Sequence, residues 1–420
     1  MSLTDSGVHV PPFYDILDPP RVGESYVDPV FNSTINRVSN APSMVNAASG
    51  GNLVWIEGEY STPCPFNNDN SLFILVHESY FGLYNSSGVY LHDLLLEITS
   101  SSEPRWSRKD THTVYYVHGN QLKSLDVILG KTSIVHTFTP YSVIYGNGES
   151  DISLDGDHFV FAGDQKFIFV YQISTDTVGP AFDVYTNTFD SLYLTPFNNV
   201  LISWITSGKT PLAGIELYTK EMVFQRQVFP CNGHKDTTLD INGSEVLIIT
   251  NSNDPNPVAQ NAIVKVNLSN GKQTPLLSLD WSLAVHISTP DNAGFAYVET
   301  YCPSNPEADD FKPYTNELLC VPLNGYPTQR LAHHRSRPNA GNTYNWQPKI
   351  SCSRDGSRFI FASNYNMVAK QGVNNQYSDV YMIQVGSPAP HPNPGPLPPR
   401  PHPPAPPHPS HPTPREENKL

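Results

Sequence analysis

Nowhere in the chain do about 18 or more apolar residues stand in a row, so no membrane-crossing helix is expected. The stretch from Met1 to Asp18 lacks a basic segment followed by an apolar run, the pattern of a secretory leader. Cations are scarce, with 25 Lys and Arg against 39 Asp and Glu and a formal net charge of −14. Phosphate backbones and anionic lipid surfaces demand clustered Lys and Arg, so this balance argues against both as partners. The five cysteines, Cys64, Cys231, Cys302, Cys320 and Cys352, form no CxxC pair and no zinc-like spacing. Cys302 and Cys320 flank an excursion rich in Pro, Asp and Asn, which leaves both a disulfide and two buried thiols open. No G-x-S-x-G, P-loop, dinucleotide fingerprint or H-E-x-x-H is present. Convincing helix starts are missing as well.

What the chain does have is aromatic and β-branched residues, including 22 Tyr and 19 Phe, the types that fit a pleated surface. They recur in seven segments of one shape, beginning near residues 52, 104, 149, 190, 234, 286 and 346. The clearest copies read ISLDGDHFVFAG (152–163), LDINGSEVLIIT (239–250) and SCSRDGSRFIFAS (351–363). In each, a strand meets an Asp-Gly or Asn-Gly pair, which tolerates the positive φ a tight hairpin demands, and a second strand follows. Weaker copies run through 67–76, 106–117, 194–204 and 287–298. A later strand alternates apolar and polar residues at 121–127, 167–173, 214–220, 262–268, 317–323 and 379–385, the period-2 mark of a half-buried strand.

Several strands per unit at a spacing of about 40 to 50 residues is the pattern of a β-propeller. A tandem of sandwiches would need linkers, and none interrupts residues 50–385. The expected fold is therefore all-β: a seven-bladed propeller of four-stranded antiparallel blades over residues 49–385. Residues 1–48 read as an N-terminal arm, in which Asp28-Pro29-Val30-Phe31 and Ile35-Asn36-Arg37-Val38 form an extended segment or a ring-closing strand. Residues 386–420 hold 15 of the 40 prolines and read as a polyproline II-like tail, a spacer or a docking peptide.

The blade pattern resembles the TolB-like, or PD40, propellers, whose mark is a strand, S-x-D-G and a second strand. Ser153-Leu154-Asp155-Gly156 and Ser353-Arg354-Asp355-Gly356 carry it. A motif of this kind marks a fold and not a chemistry. Fold analogy puts such propellers in an extracellular or periplasmic setting.

Blade starts cluster around the mouth of a propeller's channel, and here they bring Arg105, Trp106, Asp151, Asp190, His234, Asp236, His286, Tyr344, Trp346 and Gln347. Such residues also serve as turn residues that bond the backbone. As a site, Arg105, Trp106, Asp151, Asp190, Asp236, Tyr344 and Trp346 would bind a ligand, with aromatic rings stacked on sugar faces. The segment Leu331-Ala332-His333-His334-Arg335-Ser336, then Tyr344, Gln347-Pro348 and Ser353-Arg354-Asp355-Gly356, resembles the last blade of oligogalacturonate lyase-like propellers. That resemblance implies β-elimination on acidic sugars assisted by a divalent metal ion. His286 and Gln347 would be metal ligands, His234 or His333 the base and Arg335 the substrate clamp. Gln347 is followed by Pro348, Lys349, Ile350 and Ser351, so two of the family's ligands lack a counterpart at matching positions.

Three functions remain open from the sequence. One is a non-catalytic propeller binding a carbohydrate or other small ligand at its mouth. The second is a metal-assisted oligouronide lyase. The third is a structural, self-associating subunit linked through its terminal arms.

Overall fold

The computed structural model describes residues 3–94, 96–97, 100–251, 261–339, 341 and 344–385. The proline-rich segment 386–420, and what was expected of it, lies outside the described residues. Seven antiparallel sheets follow one another along the chain as the blades of a propeller. The fourth is typical, with Phe189–Leu194, Val200–Trp204, Ile215–Tyr218 and Phe224–Phe229 paired in sequence order. The first blade pairs Leu72–His77, Tyr80–Asn85 and Tyr90–Leu94. In place of a regular inner strand, it has isolated bridges from Glu57 to Val76 and from Phe66 to Phe73. The one described α-helix is the short turn Met367–Gln371.

A twisted sheet with two apolar faces must cover both, and each blade does so against its neighbours. Seven hydrophobic clusters result, one for each seam. Val160, Ala162, Ile168 and Val170 of the third blade meet Leu192, Val200, Ile202 and Trp204 of the fourth. Val246, Ile248 and Ile263 of the fifth meet Val285, Ile287 and Val298 of the sixth in the same manner. This arrangement corrects the half-buried reading for most of the later strands, whereas Gln121–Asp126 keeps it. Phe167–Gln172 is buried at its four central positions and Ile215–Tyr218 throughout, because a third strand lies between two neighbouring blades.

The Asp-Gly turns carry a second seam. Asp155 accepts hydrogen bonds from Ser153 Oγ and the Asp157 N–H, and from Asn198 Nδ2 of the next blade at 2.7 Å. Asp355 accepts from Ser353 Oγ and the Ser357 N–H, and from Asn70 Nδ2 of the first blade at 2.9 Å. The repeated aspartate thus fixes its own turn with one oxygen and reaches the next blade with the other.

Ring closure is made by the N-terminal residues. Thr34–Arg37 pairs antiparallel with Asp379–Gln384 in the seventh blade, Ile35 opposite Ile383, and Ser25–Val27 adds a further strand outside it. Buried Asp379 locks this joint, accepting from Arg37 Nη2 at 2.7 Å, Ser39 Oγ at 2.8 Å and the Ala41 N–H at 2.8 Å.

Of the two states left open for Cys302 and Cys320, the structure has free thiols. Cys320 lies opposite Tyr297 in the ladder, so Cys302 is displaced along its strand by five residues. That offset is about 17 Å at about 3.3 Å per residue, far beyond the reach of a disulfide.

Candidate ligand site at the channel mouth

An innermost strand starts at one end of the channel and finishes at its Asp-Gly turn, so residues at strand starts from distant blades gather at one rim. An open cleft of about 420 Å³ lies there, lined by Tyr60, Glu149, Asp190, Asn232, His234 and Lys235 among others. Asn232 Nδ2 donates to Asp190 Oδ2 at 2.8 Å. Lys235 Nζ, buried, donates to Ser191 Oγ at 3.0 Å and Asn232 Oδ1 at 2.9 Å, with Glu149 Oε2 3.9 Å away. Burial lowers its basicity. The Tyr193 hydroxyl donates to Glu149.

Behind the rim stands a histidine pair, with the rings of His234 and His286 4.5 Å apart. His286 is buried, bonds Glu299 through Nδ1, stacks on Tyr301 at 5.3 Å and meets Tyr60 edge-on at 5.5 Å. Glu299 accepts the Ile350 N–H at 2.6 Å through its other oxygen. Burial pushes both imidazoles down to about 3 and Glu299 up to about 8, disfavouring the charged form of each. Lys349 pairs with buried Glu57, and its Nζ sits 3.6 Å from the centre of the Tyr344 ring.

Below the cleft the channel narrows to a chamber of about 70 Å³ whose lining includes Asp151, Asp236, Arg108, Asp291 and Arg354. Asp236 accepts from the Thr289 N–H at 2.7 Å and Thr289 Oγ1 at 2.8 Å; burial nevertheless raises its carboxyl to about 8. Arg108 of the second blade reaches Asp291 beside the sixth, with contacts of 2.5 and 3.0 Å. Arg354 of the seventh blade donates to the Trp106 C=O at 2.9 Å and lies 3.7 Å from Asp151. These cross-ring pairs occupy the turn end of the channel, opposite the cleft.

The residues expected at the mouth therefore divide. His234 and Asp190 line the cleft, and His286 lies directly behind it. Asp151 and Asp236 line the chamber. Trp106 is buried and donates Nε1–H to the Pro65 C=O at 2.8 Å, leaving no ring face for a sugar. Arg105 is buried against Glu59 at 2.7 Å and the Ser150 C=O. Trp346 is buried edge-on to Tyr301, whereas Tyr344 is half exposed. Gln347 donates its backbone N–H to the Tyr344 C=O at 3.0 Å.

His333 and Arg335 do not bond the histidine pair. The His333 ring nitrogens face Asp28 at 3.2 Å and the His9 C=O at 3.0 Å. Arg335 donates to the Tyr26 hydroxyl and the Pro12 C=O. Both are anchors for the N-terminal residues, a role hidden in the sequence because the contacts span more than 300 residues.

Tyr60, Glu149, Lys235 and Glu299 were missed. Glu299 alone left a trace, as the one acidic residue in the otherwise uncharged strand Phe295–Tyr301. Tyr60 lies in the irregular start of the first blade, where no repeat guides the eye.

Fold and mouth together define a β-propeller with an open polar cleft at one end. Its structural neighbours include an oligogalacturonate lyase from Vibrio parahaemolyticus, with TM-score 0.59 and 12% identity over 86% of this chain and 96% of that one. An oligogalacturonate lyase in complex with manganese follows at TM-score 0.58, 12% identity and the same coverage. The WD40 domain of Neurospora crassa Pan2 aligns at TM-score 0.51 and 9% identity, over 83% of this chain and 95% of that one. At such identities the likeness is one of fold. No protein-family model matches the chain, and no curated protein matches it in sequence.

Proposed function

We propose that the chain is a ligand-binding propeller whose cleft takes an uncharged polyhydroxylated molecule, a neutral carbohydrate. The observation that carries this is the lining of the cleft. Tyr60 offers a ring, while Asp190, Asn232, His234 and Glu149 offer acceptors and donors within one open volume. Hydroxyl groups, each a donor and an acceptor, match such a mixed lining. A polyanion fits it poorly, because Lys235 is already engaged and the carboxylates of Glu149 and Asp190 face the same space.

Calorimetric titration with neutral oligosaccharides and with oligogalacturonates tests the reading. Neutral sugars should bind, and His234→Ala should weaken them about tenfold, a loss of about 1.4 kcal/mol. Tighter binding of the uronides would overturn it.

A second reading, oligouronide β-elimination, is favoured by the uncharged His234–His286 pair together with the lyase neighbours. His234 would take the proton on the carbon beside the carboxylate, the electrons of that C–H bond would form the double bond as the C–O bond to the glycosidic oxygen breaks, and that oxygen would take a proton from solvent. The donor set does not fit the divalent ion named with one neighbour. Glu299 holds His286 Nδ1, which leaves only Nε2 to ligate, and among the described residues no three His, Cys, Asp or Glu side chains are grouped to hold a metal ion. An unsaturated product absorbing in the ultraviolet, lost in His234→Ala, would establish this reading over the first.

A further inference from the structure

The outer flank of the sixth and seventh blades carries a row of Arg, His and Lys side chains that the cleft does not use. Arg330, His333, Arg335 and Arg337 follow one another along a single segment, joined by Lys370 from the short helix. They engage the N-terminal segment in order. Arg330 donates its backbone N–H to the Leu3 C=O at 2.9 Å, and its Nη1 to the Gly7 C=O at 2.7 Å and to Asp5 Oδ1 at 3.1 Å. His333 Nε2 meets the His9 C=O at 3.0 Å, and Arg335 the Pro12 C=O at 3.1 Å. Arg337 pairs with Asp15 and lies 4.1 Å from the centre of the Tyr14 ring. Lys370 donates to the Leu17 C=O and pairs with Asp18 at 3.1 Å.

Two features set this contact apart from an ordinary packed terminus. Its hydrogen bonds run mainly to main-chain carbonyls, so the recognition is of an extended backbone with acidic side chains rather than of one packed sequence. The burial is also lopsided. Arg330, His333, Arg335 and Arg337 are buried beneath the segment, whereas Val8, Phe13 and Ile16 on it are 50%, 66% and 71% exposed. The segment is therefore a cover held largely by polar contacts, with Leu17 against the seam of the sixth and seventh blades and Tyr14 edge-on to Phe311 as its apolar anchors; beneath it Arg330 also pairs with buried Glu317 and His333 with Asp28.

We propose that this flank is a peptide-binding groove whose occupant is exchangeable, and that the N-terminal segment of a second copy fills it in trans. Every copy presents the same backbone and the same Asp5, Asp15 and Asp18, so the charge complementarity seen within one chain holds equally between two. Asp18-Pro19-Pro20, whose prolines cannot donate to a ladder, forms the join to the propeller and acts as the hinge. This proposal is independent of what binds in the cleft.

A labelled synthetic peptide of residues 3–18 stands in for the second copy. It is titrated by fluorescence anisotropy into the full chain and into the full-length double variant Asp5→Asn, Asp15→Asn. Both aspartates are exposed, so the variant weakens the chain's own cover without disturbing the propeller. A tethered segment competes at an effective concentration of about a millimolar, so the variant should bind the peptide at least about tenfold more tightly than the parent. A peptide of the same composition in scrambled order should bind less well. Light scattering should show the mass of the full chain rising toward that of a dimer with concentration. Equal affinity of parent and variant, or no binding to either, would overturn the groove. Peptide binding with a monomer mass at every concentration would overturn the second copy as its occupant.

Discussion

At the turn end of the ring the chain repeats itself, and at the mouth it does not. The turn end uses the same device twice, a Ser and an Asp closing a Gly turn, with an Asn of the next blade on the free oxygen. Nothing at the mouth recurs. Tyr60, Glu149, Asp190, His234, His286 and Glu299 come from six separate segments and occupy six different local settings. Repetition in a closed ring serves what every blade needs, attachment to its neighbour. A site needs different groups at one place, so it is built from the positions where the copies disagree.

The glycine turns offer the strongest way to break this contrast. Gly156 and Gly243 both hold a positive φ, of +66° and +78°. A methyl group at 156 would meet Arg108 Cβ at 2.8 Å, whereas at 243 it meets nothing within 4 Å. Gly243→Ala should therefore cost only the backbone term, about 1 kcal/mol. Gly156→Ala adds a clash at the seam and should cost about 3 kcal/mol in all. Urea unfolding measures both, and equal losses would mean that the turns act one blade at a time.

Acid separates unrepeated histidines from repeated aspartates. Buried His334 donates Nε2–H to the Thr300 C=O at 3.0 Å and accepts the Ser336 N–H at Nδ1 at 3.0 Å, which leaves no place for a second proton. Burial lowers it to about 3. The unfolded chain takes up that proton near 6.5 and the folded chain does not, so stability is lost as pH falls from 6.5 toward 3. The slope is at most about 1.4 kcal/mol per pH unit, or about 2 kcal/mol by pH 5. His334→Gln removes this share of the acid sensitivity and leaves the shares of His234 and His286. Asp155, half exposed, is lowered to about 2 despite burial by its Ser153 and Asn198 hydrogen bonds. Its contribution is present above pH 3.8 and is lost only below that, so Asp155→Asn should match the parent's pH profile down to about pH 4. Unfolding midpoints of each variant against the parent, taken from pH 7 to 3, give the two windows.

The smallest effect belongs to the mouth. His234 is half buried, and His234→Ala should change unfolding stability by about 1 kcal/mol or less. A much larger loss, by the same urea measurement, would make His234 a packing residue and place the mouth with the seams.

The blade count, the Asp-Gly turns and the third strand of most blades were legible because short-range alternation and turn chemistry dictate them. The regular inner strand expected of the first blade was not, since residues 55–66 form bridges instead of a ladder. Nor was the use of His333 and Arg335. Beside Leu331 and Ala332 they read as a catalytic cluster, yet their partners, Asp28, His9, Tyr26 and Pro12, stand at the far end of the chain. Trp106 and Trp346 begin their blades as expected, but neighbouring blades enclose them.

By itself, the sequence determined that this chain is a ring of alike β-sheets with acidic residues in excess over basic ones. Those properties follow from spacing, turn residues and charge, all local or additive. Only the tertiary structure decided which polar side chains share the cleft, which lie buried in seams and which hold the N-terminal segment. Closing the ring brings residues together across hundreds of positions, and no local rule encodes which of them will meet.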